Sequence, residues 1–209
     1  MSDSVDNPFF ARVWTAMSAR EPETLRTMRK DNLAGLTGRV LEVGAGTGSN
    51  FEFYPDTVTE VVAVEPEHRL AAVARRAADR AAVPIVVGTE TVEQYADAEP
   101  FDAVVCSLVL CSVDDPESVV AQLFSMLRPG GELRYLEHIA STGPRARLQR
   151  LADATVWPRL LGNCHTHRHT EQTITAAGFR VTGARRVWAF PAWLPVPSAE
   201  FALGVAVRP

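Results

Sequence analysis

The sequence predicts an α/β protein with a doubly wound, mainly parallel sheet and helices on both faces. Three observations carry this. Five short apolar runs alternate with helical stretches between residues 39 and 137. The first run ends in a glycine cluster, Gly44-Ala45-Gly46-Thr47-Gly48. The second ends in an acid, Glu65, about twenty residues after those glycines.

The elements follow in order. Residues 5–34 form two helices: Phe9, Phe10, Val13, Trp14 and Met17 recur at helical spacing, then Leu25, Met28 and Leu33 do so. Glu21-Pro22 opens the second helix, and Gly35 and Gly38 close it. Residues 39–43 (RVLEV) are a buried strand, with a helix expected from Thr47. Residues 60–65 (EVVAVE) are the second strand, the Ala-rich 70–82 a helix, 83–87 (VPIVV) the third strand and 101–110 the fourth. Residues 116–127 are a helix capped by Asp114 or Asp115 and stopped by Arg128-Pro129-Gly130-Gly131. The fifth strand is 132–137. Beyond it, 144–154 and 169–177 are helical, Gly178 caps the latter, and 179–187 and 200–207 are two more strands. No repeat or linker interrupts the chain. It divides into an N-terminal helical cap (1–36), a core (37–140) and an end segment of helices and strands (141–209) within one domain.

Composition narrows the function. The chain has 209 residues, 46% of them apolar, and a net charge of −4. That suffices for a core and gives no basic surface for nucleic acid. Three cysteines form no disulfide framework and fit a reducing cytoplasm. The polar, acidic start MSDSVDNPFF is not a secretory signal, and no window approaches the ~20 apolar residues of a membrane helix.

The glycine cluster reads as a ligand site at the switch point of the sheet. Its pattern is GxGxG after an acid, Glu42, rather than the GxGxxG of dinucleotide enzymes, which argues against a nicotinamide oxidoreductase. Glu65 stands where a carboxylate accepts hydrogen bonds from both hydroxyls of a ribose. A ligand with a ribose, an amino-acid end and no phosphate fits this set, and S-adenosylmethionine is such a molecule. Gly44, Ala45, Gly46, Thr47, Gly48 and Asn50 belong to its loop, and Glu65 and Pro66 to its ribose side. Glu42 either faces the ligand's ammonium group or supports the glycine turn. Thr89 and Glu90, after the third strand, flank adenine, although Glu90 reads equally well as a solvated acid at a helix start. Ser107 and Leu108, ending the fourth strand, flank the methionine part.

With these residues in place the sequence resembles the class I S-adenosylmethionine-dependent methyltransferases. It is most similar to the methyltransferase-like thiol S-methyltransferases and their bacterial relatives. LEVGAGTGSNFEFYP, FDAVVCSLVLCSV, LRPGG, LEHIA, the GNCHTHR of 162–168, AAGF and GVAVRP carry the resemblance over most of residues 38–209. It implies a Rossmann-like methyltransferase sheet of about seven strands with an antiparallel member in the last pair. It also implies methyl transfer to a small, fairly apolar acceptor, a thiol first, with a phospholipid amine or a quinol as alternatives. A non-catalytic cofactor-binding partner is the rival from another class, and the intact ExGxGxG and Glu65 speak against it. The sequence opens without the apolar anchor of membrane-bound members, which leaves peripheral membrane contact open, and nothing in it fixes an oligomeric state.

Methyl transfer requires positioning, and a thiol acceptor must also lose its proton. His138, following the fifth strand, is the candidate base, weighed against a histidine merely hydrogen-bonded at a strand end. Phe10, Trp14, Leu110, Cys111, Trp157, His165 and Arg168 are the remaining acceptor-pocket candidates, with Trp188 and Trp193 as further apolar walls. Cys111 could line that pocket beside Leu110, but a residue of its kind is more often simply a small buried apolar one. Cys164, His165, His167 and His169 offer metal-ligand chemistry at close spacing. Methyl transfer requires no metal, however, and the resemblance accounts for Cys164, His165 and Arg168, so no metal is expected.

Overall fold

The apolar runs pair side by side. The computed structural model describes residues 6–155, 157–190 and 194–209. Its strands are β1 (Gly38–Val43), β2 (Val58–Val64), β3 (Ile85–Gly88), β4 (Phe101–Ser107), β5 (Leu127–His138), β6 (Arg180–Trp188) and β7 (Glu200–Val207). They form one seven-stranded sheet in the order β3-β2-β1-β4-β5-β7-β6. The first five are parallel, and β7 inserts antiparallel between β5 and β6. The order reverses between β1 and β4, so the carboxyl ends of those two strands flank the switch point where ligands of doubly wound sheets bind.

The helices are α1 (Pro8–Ser18), α2 (Glu23–Leu33), α3 (His68–Ala78), α4 (Pro116–Met126), α5 (Gly143–Asp153), α6 (Trp157–Leu160) and α7 (Thr170–Ala176). Their starts follow capping chemistry. Asn7 accepts from the Phe10 N–H, Glu67 from those of Arg69 and Leu70, and Asp115 from that of Ser118, which satisfies first-turn donors. Among the described residues no helix is long and apolar enough to cross a membrane.

Two differences from the sequence reading have local causes. No α-helix starts at Thr47; the chain runs through turns into a single 3-10 turn, Phe51–Phe53. Gly46 and Gly48 sit at φ +59° and +78°, a conformation that interrupts a right-handed helix before it can propagate. The short α6 has no counterpart in the expected elements, because one turn carries no periodic signal.

Strand alternation divides the core. Along β4, Ala103 and Val105 join Val40, Val61, Phe51 and Tyr54 on one face; Val104 and Cys106 join Leu41, Val43, Leu133 and Tyr135 on the other. Tyr135 is fully buried against Gly204 of β7, and a Cβ there would overlap the tyrosine ring. Its hydroxyl reaches the Glu171 carboxylate at 3.1 Å. Gly204→Ala therefore overpacks the β5–β7 seam and should cost roughly 1–3 kcal/mol. Thermal unfolding should show Tm lowered by about 2–4 °C per kcal/mol; an unchanged Tm would refute this account of the seam.

Candidate active site

The glycine turn follows directly from β1. Gly44, Gly46 and Gly48 all have positive φ, and the Gly44 and Ala45 N–H groups donate to the Val64 carbonyl at the end of β2. Close approach explains two of the glycines. A Cβ on Gly44 would strike Val109, and one on Gly46 would lie 2.9 Å from the Trp14 indole nitrogen. Glu65, just past β2 and 6% exposed, accepts from the Gly46 N–H at 2.7 Å and the Glu67 N–H at 3.0 Å. Burial pushes its pKa up, and those two backbone donors pull it back. A bare glycine turn joined to a buried carboxylate fits a ribose-bearing ligand without phosphate. Thr47 pairs with Ser49, Pro66 is half-buried between Glu65 and Glu67, and Thr89 and Glu90 follow β3 with the Glu90 carboxylate folded over Gly88.

Helix α1 lies across this turn. Phe10 and Trp14 stack with ring centres 5.8 Å apart. Trp14 covers Gly46, and Phe10 sits where a Cβ on Gly162 would stand. The aromatic stripe thus joins the glycine turn to the 162–168 segment.

Glu42 has a role of its own. It is 2% exposed and faces the Phe51–Tyr54 side of the sheet. The Tyr54 hydroxyl donates to it at 2.7 Å and Asn50 Nδ2 at 2.9 Å. Asn50 also donates to the Ser107 hydroxyl and accepts from Arg29, which is paired with Glu21 in the interior. Each Glu42 oxygen therefore has one donor within the protein. Asn50, expected in the ligand loop, links β1, β4 and α2.

At the end of β4, Ser107 leads into Leu108, a non-glycine residue at φ +63°. The constraint comes from Glu137 on β5. Its buried carboxylate accepts from the N–H groups of Val109 (3.0 Å), Leu110 (2.9 Å) and Cys111 (3.2 Å). Arg168 braces the same loop, donating to the carbonyls of Leu110 and Val113. Asn163 donates to the Ser112 carbonyl and to Asp114. Glu137 is the residue beside the site that sequence reasoning missed; its one signal was an acid in the apolar-facing end of a strand, next to Leu136.

The acceptor-side candidates separate. His138 leaves β5 with its ring against Phe201 and its Nδ1 3.5 Å from Cys164 Sγ. Cys164 Sγ lies 3.8 Å from Cys111 Sγ. Leu110 is buried in the main core cluster. His165 turns to Asn163, while His167 lies beside Arg150, with the His169 ring edge-on to it. The consecutive Cys/His set of 164–169 therefore does not converge on one point. Trp157 is half-buried with an indole N–H that has no partner among the described residues. Trp188 is 40% exposed under Arg145, and Trp193 lies outside the described residues.

Comparison with known proteins agrees with this geometry. A family model described as a methyltransferase domain matches residues 41–135. The chain is 36% identical to thiol S-methyltransferase TMT1B of Mus musculus, across 96% of this chain and 85% of that protein. It is 29% identical to thiol S-methyltransferase TMT1A of Homo sapiens, across 85% of this chain and 74% of that protein. A phosphatidylethanolamine N-methyltransferase of Cereibacter sphaeroides is 33% identical over 60% of this chain and 62% of its own length. Among solved structures, the N-methyltransferase NodS of Bradyrhizobium japonicum WM9, in complex with S-adenosyl-l-homocysteine, shares the fold. Its TM-score is 0.66 at 19% identity, over 100% of this chain and 93% of that one.

The buried Glu42 carries a pH signature. Loss of hydration raises its pKa from 4.5 to about 7, against the lowering effect of Tyr54 and Asn50. Between those values the folded state holds a proton that the unfolded chain has released. Its contribution is therefore complete below pH 4.5 and is lost as pH rises through 7, by about 3 kcal/mol. Thermal melts of the ligand-free chain and of Glu42→Gln from pH 5 to 8 should converge or cross as pH rises, with wild type losing ground. Parallel curves would contradict the assignment.

Proposed function

The chain belongs to the class I S-adenosylmethionine-dependent methyltransferases, in the family of the thiol S-methyltransferases, and we propose that its acceptor is a small, apolar thiol methylated in the cytoplasm. The observation that carries the acceptor is the extent of similarity. The thiol enzymes match across 85–96% of the chain. Demethylmenaquinone, phosphatidylethanolamine and ubiquinone-pathway methyltransferases match across 56–60%. Agreement with the thiol enzymes thus reaches into the segments beyond the nucleotide half, where an acceptor is recognised.

S-Adenosylmethionine supplies an activated methyl group on a sulfonium. Glu65 is assigned to its ribose hydroxyls, the turn from Gly44 to Gly48 to its amino-acid end, and Ser107 and Leu108 to its methionine chain. Thr89 and Glu90 are assigned to the adenine side. On this assignment the Gly46 N–H and Glu65 hold one another in place before the ligand arrives, which limits reorganisation on binding. His138 is assigned to activation of the acceptor thiol. Phe10 and Trp14 close the site from the α1 side, and Trp157 and His165 border the acceptor. Arg168 holds the loop from which the acceptor is approached.

The test is formation of S-adenosylhomocysteine by the isolated chain with S-adenosylmethionine and a short alkyl thiol, against a no-acceptor control. Turnover is expected, and it would also dispose of a purely cofactor-binding role. Absence of turnover with thiols alongside turnover with a phospholipid amine or a quinol would replace the acceptor. Glu65→Ala should weaken cofactor binding about tenfold or more by calorimetry. His138→Ala should lower kcat/KM for the thiol by roughly a hundredfold or more with cofactor affinity retained.

A further inference from the structure

Three soft or borderline donor atoms from distant parts of the chain meet beside the β4 and β5 ends. They are Cys111 Sγ from the loop after β4, His138 Nδ1 from the end of β5 and Cys164 Sγ from the segment after α6. Each residue offers a ligand atom, and all three atoms lie within 4.8 Å of one another. Both cysteines are free thiols, 1% and 7% exposed, while His138 is half-buried.

The spacing discriminates between uses. A disulfide needs sulfurs at ~2.05 Å, and these lie 3.8 Å apart. Zinc held in a tetrahedron by thiolates at ~2.3 Å and an imidazole at ~2.0–2.1 Å separates sulfur from sulfur by ~3.8 Å and sulfur from nitrogen by ~3.5 Å. Two of the three edges have these lengths, 3.8 Å for Cys111–Cys164 and 3.5 Å for Cys164–His138, and the third, Cys111–His138, is within 4.8 Å. The donors are also fixed. The Cys111 N–H is held by Glu137 and its carbonyl by the His165 N–H. The Cys164 N–H donates to the Leu161 carbonyl, and the His138 ring rests on Phe201. Anchoring of this kind keeps ligands at coordination distance without reorganisation.

We propose that Cys111, His138 and Cys164 bind a zinc ion whose fourth position takes the acceptor thiol as a thiolate. Three protein ligands and one open position define a catalytic rather than a structural zinc site. The inference rests on the thiol reading given above. Two cysteine thiolates and a neutral imidazole cancel the charge of the cation, so on this reading His138 activates the acceptor thiol as a metal ligand and not as its proton acceptor. The incoming thiol displaces a water ligand and releases its proton to solvent, since a thiol coordinated to zinc is deprotonated. One thiolate lone pair then forms the new sulfur–methyl bond while the methyl–sulfonium bond breaks. That bond's electron pair stays on the departing S-adenosylhomocysteine sulfur, and the neutral thioether leaves zinc. Cys111 sits on the loop that begins at Leu108, so zinc would present the thiolate beside the strand end assigned to the methionine chain.

The experiment loads the purified chain with zinc chloride, removes excess metal, and measures bound zinc by mass spectrometry beside S-adenosylmethionine affinity and thiol turnover. Cobalt substitution provides a thiolate-to-metal charge-transfer band as a second readout. One zinc per chain is expected. Cys111→Ser and Cys164→Ser should each weaken zinc binding more than about tenfold and abolish the cobalt band, with turnover falling alongside and cofactor affinity within about twofold of wild type. Cys106→Ala, which alters a β4 core residue outside the cluster, should keep its zinc. Failure to bind zinc, zinc retained by both serine variants, or full thiol turnover after chelation would overturn the proposal. Zinc bound through these cysteines without methylation of any thiol would instead refute the thiol reading and leave the metal site standing.

Discussion

A carboxylate buried at the end of β5 organises the edge of the sheet beside the glycine turn. Left without partners, Glu137 would cost several kcal/mol to bury as an anion. Three consecutive N–H groups of the loop after β4 satisfy it. That grip makes the chain turn sharply at Leu108, presses Val109 against the bare Gly44, and fixes Cys111. Arg168 ties the same loop to the segment that carries Cys164. One buried carboxylate thus sets the β4 end and Cys111 against the glycine turn, and Arg168 joins the Cys164 segment to them.

A second polar chain does similar work beneath the glycine turn. Glu21, Arg29, Asn50, Glu42 and Tyr54 run from α2 to β1 through the interior, with Ser107 as a branch. Buried networks are stabilising only when every member is satisfied, and here each link has a partner at ordinary distance. Its effect is to lock α2 and the two central strand ends together, which gives the glycine turn a rigid floor.

What the sequence disclosed and what it hid divide along one physical line. Strands β1 to β5, the glycine turn and Glu65 are written in local patterns of apolar residues, glycines and terminal acids, and each appears close to its expected place. The helix expected from Thr47 rested on the usual succession of glycine turn and helix in doubly wound sheets, whereas here Gly46 and Gly48 adopt left-handed backbone. Glu137 escaped because its partners lie 26 to 28 residues away. The cysteine–histidine grouping escaped for the same reason: Cys111 and Cys164 are 53 residues apart. Linear spacing favoured His165, His167 and His169, whose side chains point to different neighbours.

The strand order has a further consequence at the outer margins. An open sheet ends in strands whose unpaired N–H and C=O groups can template pairing with another chain. Here β3 is four residues long, too short to recruit much of a partner. β6 is longer and mostly exposed, but it carries Arg180, Arg185 and Arg186 and breaks register between Val181 and Gly183. Like charges facing one another across a new ladder would repel, and the irregularity would twist the margin out of line. The fold therefore carries its own resistance to edge-to-edge aggregation, placed on the two strands that its topology leaves open.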